Sequence, residues 1–212
     1  MNAVYFLGWT FYRCTFATYF HWRVFNAERV PQKGPAILAA NHASFLDPPL
    51  VGSGVKRDIN YLARKSLFKL PLLGWILRTV NAVPVDRDGG GAAGLKAIMD
   101  RLHAGGAIIL FPEGTRTRDG KFQPARSGIG LAVIKSEAPV IPVRVFGTYE
   151  AWGRHIRFPR PHGVRVKYGE PMRFEELRAE AKICTKQRLK EIYQQVADEI
   201  MAAIAKLEPQ KD

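Results

Sequence analysis

Asn41-His42-Ala43-Ser44-Phe45-Leu46-Asp47-Pro48-Pro49 follows directly on the apolar run Ala36–Ala40 and decides how the rest of the chain is read. An apolar run that stops at a histidine, with a carboxylate five positions on, is a strand leading into a turn. Five residues is the wrong interval for one face of a helix, so His42 and Asp47 can meet only if the chain turns between them. Proline is tolerated in a helix's first turn and aspartate is a favoured N-cap, so a helix is expected to start near Asp47. If the two side chains meet, a histidine base has a carboxylate to orient it.

Further along, residues 59–63, 81–85, 107–111, 140–145 and 164–168 are short apolar segments of strand character, bounded by glycine, proline or charge. Helical patterns fill the intervals, notably 95–103 and 127–137, and a C-terminal stretch keeps the three-and-four rhythm through Leu189, Ile192, Val196, Ile200, Ile204 and Leu207. Alternating strands and helices predict an α/β fold: one domain with a largely parallel, mixed sheet flanked by helices, preceded by an N-terminal aromatic helix. In such sheets ligands bind beyond the carboxyl ends of the strands. The strands ending near Ala40, Val85 and Phe111 each release a polar motif there: His42 with Asp47, Arg87, and Glu113 with Arg116.

At 212 residues the chain is long enough to bury most of its apolar surface in one domain. A formal net charge of +13 points to an anionic partner: nucleic acid, an anionic membrane face or a phosphorylated substrate. Cys14 and Cys184 are far apart and offer neither metal nor disulfide spacing, so a reduced, cytosolic-side setting is expected, with structural thiols.

The first 28 residues are the compositional outlier. Arg13 is the sole charged side chain up to His21, and Tyr5, Trp9, Tyr12, Phe16 and Tyr19 recur at intervals of four and three. A basic n-region and a small-residue cleavage site, the marks of a signal peptide, are missing. Arg13 in the middle of a spanning segment would cost about 2.5–3.5 kcal/mol. The expectation is a membrane-associated helical segment over residues 1–28 that lies in the interface, followed by the main domain over 29–212; a core helix of the domain is the alternative.

Gly89-Gly90-Gly91-Ala92-Ala93-Gly94 satisfies G-x-G-x-x-G, but three charged residues separate it from the preceding strand. A dinucleotide site needs the glycines to form the strand-to-helix turn itself, so a loop before a helix is the preferred reading.

With five histidines and nineteen acids, a lone His-x4-acid pair arises by accident at about even odds. The pair gains weight from Val83-Pro84-Val85-Asp86-Arg87, Phe111-Pro112-Glu113-Gly114-Thr115-Arg116 and Val140-Ile141-Pro142-Val143, which follow in order. Together the four stretches resemble the four sequence blocks of the glycerolipid acyltransferases. The resemblance implies transfer of a fatty acyl group from a thioester, on coenzyme A or acyl carrier protein, to the free hydroxyl of a lysophospholipid, foremost 1-acylglycerol 3-phosphate. It implies no metal and no cofactor. On it, His42 is the general base on the acceptor hydroxyl and Asp47 holds its productive tautomer, because an alcohol is a poor nucleophile until its proton has somewhere to go. Arg87 and Arg116 match the positions that bind the acceptor phosphate, with Glu113, Gly114 and Thr115 at the same site. For Glu113 an ion pair positioning Arg116 is the competing role. Where relatives commonly show Lys-Gly after the third block, this chain has Arg126-Ser127-Gly128, and Arg126 is left outside the expected set.

An acyl-enzyme on serine or cysteine finds no support, since there is no G-x-S-x-G elbow and Cys184 has no neighbouring histidine in sequence. A non-catalytic membrane- or nucleic-acid-binding module would account for the charge alone. The expected partners are lysophospholipid, acyl thioester, acyl carrier protein and an anionic membrane surface on its cytoplasmic face, with no nucleic acid. Other acceptors in related families are glycerol 3-phosphate, other lysophospholipids and lyso-ornithine lipids.

Overall fold

The computed structural model describes residues 2–85 and 91–209. Helix α1 (Ala3–Thr18) leads into strand β1 (Arg23–Phe25), and β2 (Ala36–Ala40) into α2 (Asp47–Ser53). Then come β3 (Ile59–Arg64), α3 (Pro71–Thr79), β4 (Ala82–Val85), α4 (Gly91–His103), β5 (Ala107–Leu110) and α5 (Gly128–Ser136). The chain closes with β6 (Val140–Phe146), α6 (Thr148–Trp152), β7 (Arg165–Tyr168), α7 (Glu175–Ala181) and α8 (Lys186–Lys206).

The seven strands form one sheet in the order β1-β7-β6-β2-β5-β3-β4. Every neighbouring pair is parallel except β6 with β7. All five residues of β2 are buried, as expected of a central strand covered on both faces. Their alternation divides the core. Ala36, Leu38 and Ala40 pack with Phe16, Phe20, Leu50 and Val51 under α1 and α2, while Ile37 and Ala39 pack with Val133, Ile192, Val196 and Ile200 under α5 and α8. The architecture is therefore three layers, helix on sheet on helix, as the alternation of elements predicts.

Two parts of the sequence reading need correction. Arg23–Phe25 is an edge strand paired with β7, so the sheet begins inside the segment assigned to the N-terminal helix. Its three residues carry no usable alternation; long-range pairing makes it a strand. The aromatic stripe faces the domain at Tyr5, Trp9 and Phe16, while Tyr12 and Tyr19 stay exposed. Tyr5 and Phe16 are buried, Trp9 Nε1 donates to the Val55 carbonyl at 2.9 Å, and Tyr5 OH accepts from the Ile59 N–H at 3.0 Å. Arg13 also turns inward: it donates to the Ser53 carbonyl at 2.9 Å with its guanidinium over the rings of Trp9 and Trp22. The exposed apolar face of α1 is formed by Phe6, Leu7 and Phe11, continued by the exposed rings of Tyr12 and Tyr19. Among the described residues no helix is long and apolar enough to cross a membrane.

Because β2, β3, β4, β5 and β6 run the same way, their carboxyl ends share one edge. The turn bearing His42, the 3-10 turn Lys65–Lys69, the segment after β5 and the excursion after β6 all hang from that edge.

Candidate active site

At the end of β2, Asn41 is pinned to the neighbouring strand: its Oδ1 accepts from the Val145 N–H at 2.9 Å and its Nδ2 donates to the Val145 carbonyl at 3.3 Å. The chain then turns. Asp47 does not cap α2 forwards, because Pro49 has no N–H to offer and the Leu50 N–H bonds to the Leu46 carbonyl at 2.9 Å. Its carboxylate folds back instead. Oδ2 accepts from the main-chain N–H groups of Ala43 and Ser44, each at 2.6 Å, and meets Nδ1 of His42 at 2.8 Å. The Asp47 side chain is fully buried. Three donors converging on one oxygen hold the carboxylate rigidly, and Nδ1 bonded to it leaves Nε2 as the histidine nitrogen available for proton transfer.

Phe111 stacks on the imidazole from below, with ring centroids 3.9 Å apart and planes 17° from parallel. The ring is thereby fixed by a hydrogen bond along one edge and an aromatic plane on one face.

Glu113 is buried and makes neither a cleft contact nor an ion pair with Arg116 among the described contacts; both its oxygens are taken by main-chain donors. Oε1 accepts from the His42 N–H at 2.7 Å and Oε2 from the Gln123 N–H at 2.8 Å. The Thr117 N–H returns a bond to the His42 carbonyl at 2.8 Å. Burial pushes the Glu113 carboxyl above its ordinary pKa, opposed by these hydrogen bonds, with the nearby Asp47 charge adding slightly to the rise. Gly114 adopts φ +69°, and the flank of the Arg126 side chain lies where a Cβ would be: Cδ would be 2.9 Å from it. Glycine is required there both for the backbone and for the close approach of that arginine.

The cleft at this site has a volume of about 330 Å³ and is lined by His42, Tyr61, Arg64, Phe111, Gly114 and Arg126 among others. A second, more apolar groove of about 340 Å³ lies between α1, α2 and α3; Pro48, Tyr61 and Leu62 line both. Of the sequence-predicted residues, His42, Asp47, Glu113 and Gly114 come together. Thr115 is half-buried beside them. Arg116 is not in the cleft wall; its guanidinium lies 3.5 Å over the ring of Phe45, which in turn packs against Trp152. Arg87 lies outside the described residues. Two residues missing from the expected set, Arg64 and Arg126, supply cations to the wall. Their position at the carboxyl end of β3 and just after the third block was the available signal.

The pattern of residues and the fold have counterparts. The Acyltransferase family profile matches residues 21–146. The 1-acyl-sn-glycerol-3-phosphate acyltransferase of Cocos nucifera is 29% identical over 145 residues, 66% of this chain and 47% of that protein. That of Bacillus subtilis is 30% identical over 126 residues, 59% of this chain and 62% of that protein. The chain thus spans between about a third and about half of the length of the plant relatives it matches. The crystal structure of the 1-acyl-sn-glycerophosphate acyltransferase PlsC from Thermotoga maritima superposes with a TM-score of 0.72 at 25% identity, covering 97% of this chain and 81% of that one. Neither the glycine run nor the net charge needs a dinucleotide or nucleic-acid reading once motifs, profile and fold agree: the chain belongs to the acyltransferase family.

Proposed function

We propose that the protein transfers a fatty acyl group from a thioester, on coenzyme A or acyl carrier protein, to the free hydroxyl of 1-acylglycerol 3-phosphate, giving phosphatidic acid. The observation that carries this reading is the His42–Asp47 pair, 2.8 Å apart with the carboxylate fully buried, at the wall of a cleft lined by apolar side chains together with Arg64 and Arg126. The names borne by the relatives supply the acceptor.

In this reading the acceptor hydroxyl gives its proton to His42 Nε2 as its oxygen attacks the thioester carbonyl. The carbon–sulfur bond then breaks, and the imidazolium returns the proton to the departing thiolate. Asp47 stabilises the imidazolium without taking its proton. Positive charge at Arg126 and Arg64 suits the acceptor phosphate, and Arg116, fixed by its stack on Phe45, and Arg87 belong to the same group of anion-binding candidates. No cofactor or metal takes part. The enzyme works at the surface of an anionic membrane on its cytoplasmic face, held by the exposed apolar residues of α1 and of the Leu67–Ile76 region.

The test follows free-thiol release from acyl-coenzyme A and from acyl carrier protein, with and without 1-acylglycerol 3-phosphate. Release that depends on this acceptor is expected. Arg126→Ala should raise the acceptor KM while leaving the thioester KM unchanged. Thiol release that ignores the acceptor, or that demands a lysophospholipid without a terminal phosphate, would overturn the assignment of substrate.

A further inference from the structure

From Ala151 to Gly169 the chain carries five arginines and lysines, two histidines and not one acid. The densest part, residues 153–163, is an excursion between α6 and β7. Because β6 runs parallel to β2 and β7 returns antiparallel, the excursion hangs from the same edge of the sheet as His42.

It is a built surface feature. Gly147, before α6, adopts φ +74°, and a Cβ there would overlap the carbonyl of Gly163, so the end of the excursion is held against the start of α6. The Arg160 N–H bonds to the Ala151 carbonyl at 2.9 Å, and the Ile156 side chain is buried beneath. At its tip Phe158 is 68% exposed, with the guanidinium of Arg157 5.2 Å from its ring centroid. Arg157 and Arg160 are exposed and, among the described residues, no carboxylate pairs with either. An exposed aromatic between unpaired arginines is costly in water and suited to a surface that is apolar within and anionic at its boundary.

The excursion also joins two other features. Tyr19, at the end of α1, donates its hydroxyl to the Pro159 carbonyl at 3.1 Å. Ser44, in the catalytic turn, donates its hydroxyl to the Trp152 carbonyl at 2.7 Å. The excursion therefore continues the exposed aromatic face of α1 round to the rim of the active site.

We propose that residues 153–163 form a second contact with an anionic lipid bilayer, in which Phe158 enters the headgroup boundary while Arg157 and Arg160 meet lipid phosphates. This rests on the acyl-transfer reading for its purpose: a contact on the far side of His42 from α3 would hold the cleft mouth against the leaflet from which a lysolipid acceptor enters. An acidic protein would satisfy the arginines but gives no account of an exposed phenylalanine continuous with the aromatic face of α1.

The test compares the full chain with the variant Arg157→Gln/Phe158→Ser/Arg160→Gln, three exposed positions outside the cleft. Partition is measured onto phosphatidylglycerol-containing vesicles and onto pure phosphatidylcholine vesicles. Thiol release from acyl-coenzyme A is measured with a bilayer-resident lysophosphatidate and with a short-chain monomeric one. The variant should bind anionic vesicles on the order of thirtyfold more weakly from the loss of two arginines near the surface, with a smaller loss on neutral ones from Phe158 alone. Its activity on the bilayer acceptor should fall in step, and on the monomeric acceptor stay at the wild-type rate. Phe158→Ser alone should reproduce part of the binding loss with full activity on the monomer. Unchanged vesicle partition overturns the proposal, and a selective loss with acyl carrier protein as donor would then reassign the surface to that protein. Lost activity on the monomer in both variants would mean the excursion supports the site instead, which also overturns it. If the wild type releases no thiol with any lysophospholipid while the variant still loses anionic-vesicle binding, the acyl-transfer reading fails and the lipid contact stands.

Discussion

The main-chain N–H of His42 donates to Glu113 Oε1 at 2.7 Å, so the proposed base and a carboxylate 71 residues away are joined through backbone and not through the imidazole. The other oxygen of Glu113 holds the Gln123 N–H, which makes the side chain a bracket between the turn after β2 and the segment after β5. The resemblance groups Glu113 with the acceptor-binding residues. Its two hydrogen bonds support the role of a positioning residue that sets where His42 sits.

That role has a pH signature. The folded pKa of Glu113 is raised by burial, so the folded protein binds this proton more readily than the unfolded chain does. Between the raised folded value and the ordinary carboxylate value, stability from this group therefore grows as pH falls and is lost as pH rises. Wild type should accordingly gain in melting temperature on Glu113→Gln as both are taken from pH 7 to pH 5. A gap that widens against wild type on acidification would show that the two main-chain hydrogen bonds outweigh burial.

His42→Ala and Asp47→Asn should separate chemistry from architecture. His42→Ala should lose roughly 10²–10⁴ in turnover, the usual worth of a general base, with melting nearly unchanged. Asp47→Asn should lose less turnover but more stability, about 1–3 kcal/mol, because Oδ2 also holds the Ala43 and Ser44 N–H groups in a buried site. Wild-type turnover in folded His42→Ala would remove the mechanism.

For α1, deleting residues 1–25 is not a clean probe of membrane binding. Phe16 and Phe20 fill the core and β1 would be lost from the sheet, so the truncated chain should not fold. Phe6→Ser/Leu7→Ser/Phe11→Ser acts on residues that are 51%, 65% and 64% exposed. It should melt within a few degrees of wild type and lose vesicle binding. Unchanged flotation with vesicles would exclude α1 from the interface.

Gly52 and Tyr61 are matched as closely as any pair beside the cleft, since a Cβ on Gly52 would overlap the Tyr61 hydroxyl. Gly52→Ala should destabilise by about 1–3 kcal/mol, and Tyr61→Phe in the same chain should recover much of it. If the double variant melts no higher than Gly52→Ala, the clash is not the cause.

The sequence by itself determined what is local. The apolar run Ala36–Ala40 reads as a buried strand, and a turn after it is the one way for His42 and Asp47 to meet. The in-order motifs marked the carboxyl edge of the sheet, because strand periodicity, proline chemistry and short-range turns act over a few residues. What only the tertiary structure decided spans tens of residues. It bonded both oxygens of Glu113 to main-chain N–H groups of His42 and Gln123, put Arg126 and Arg64 in the cleft wall and Arg116 on Phe45, made Arg23–Phe25 a strand by pairing it with β7, and turned Tyr5, Trp9 and Phe16 of α1 toward the domain while leaving Phe6, Leu7 and Phe11 exposed. In each case a side chain's partner comes from a different element, and propensity along the chain has no knowledge of which elements will meet.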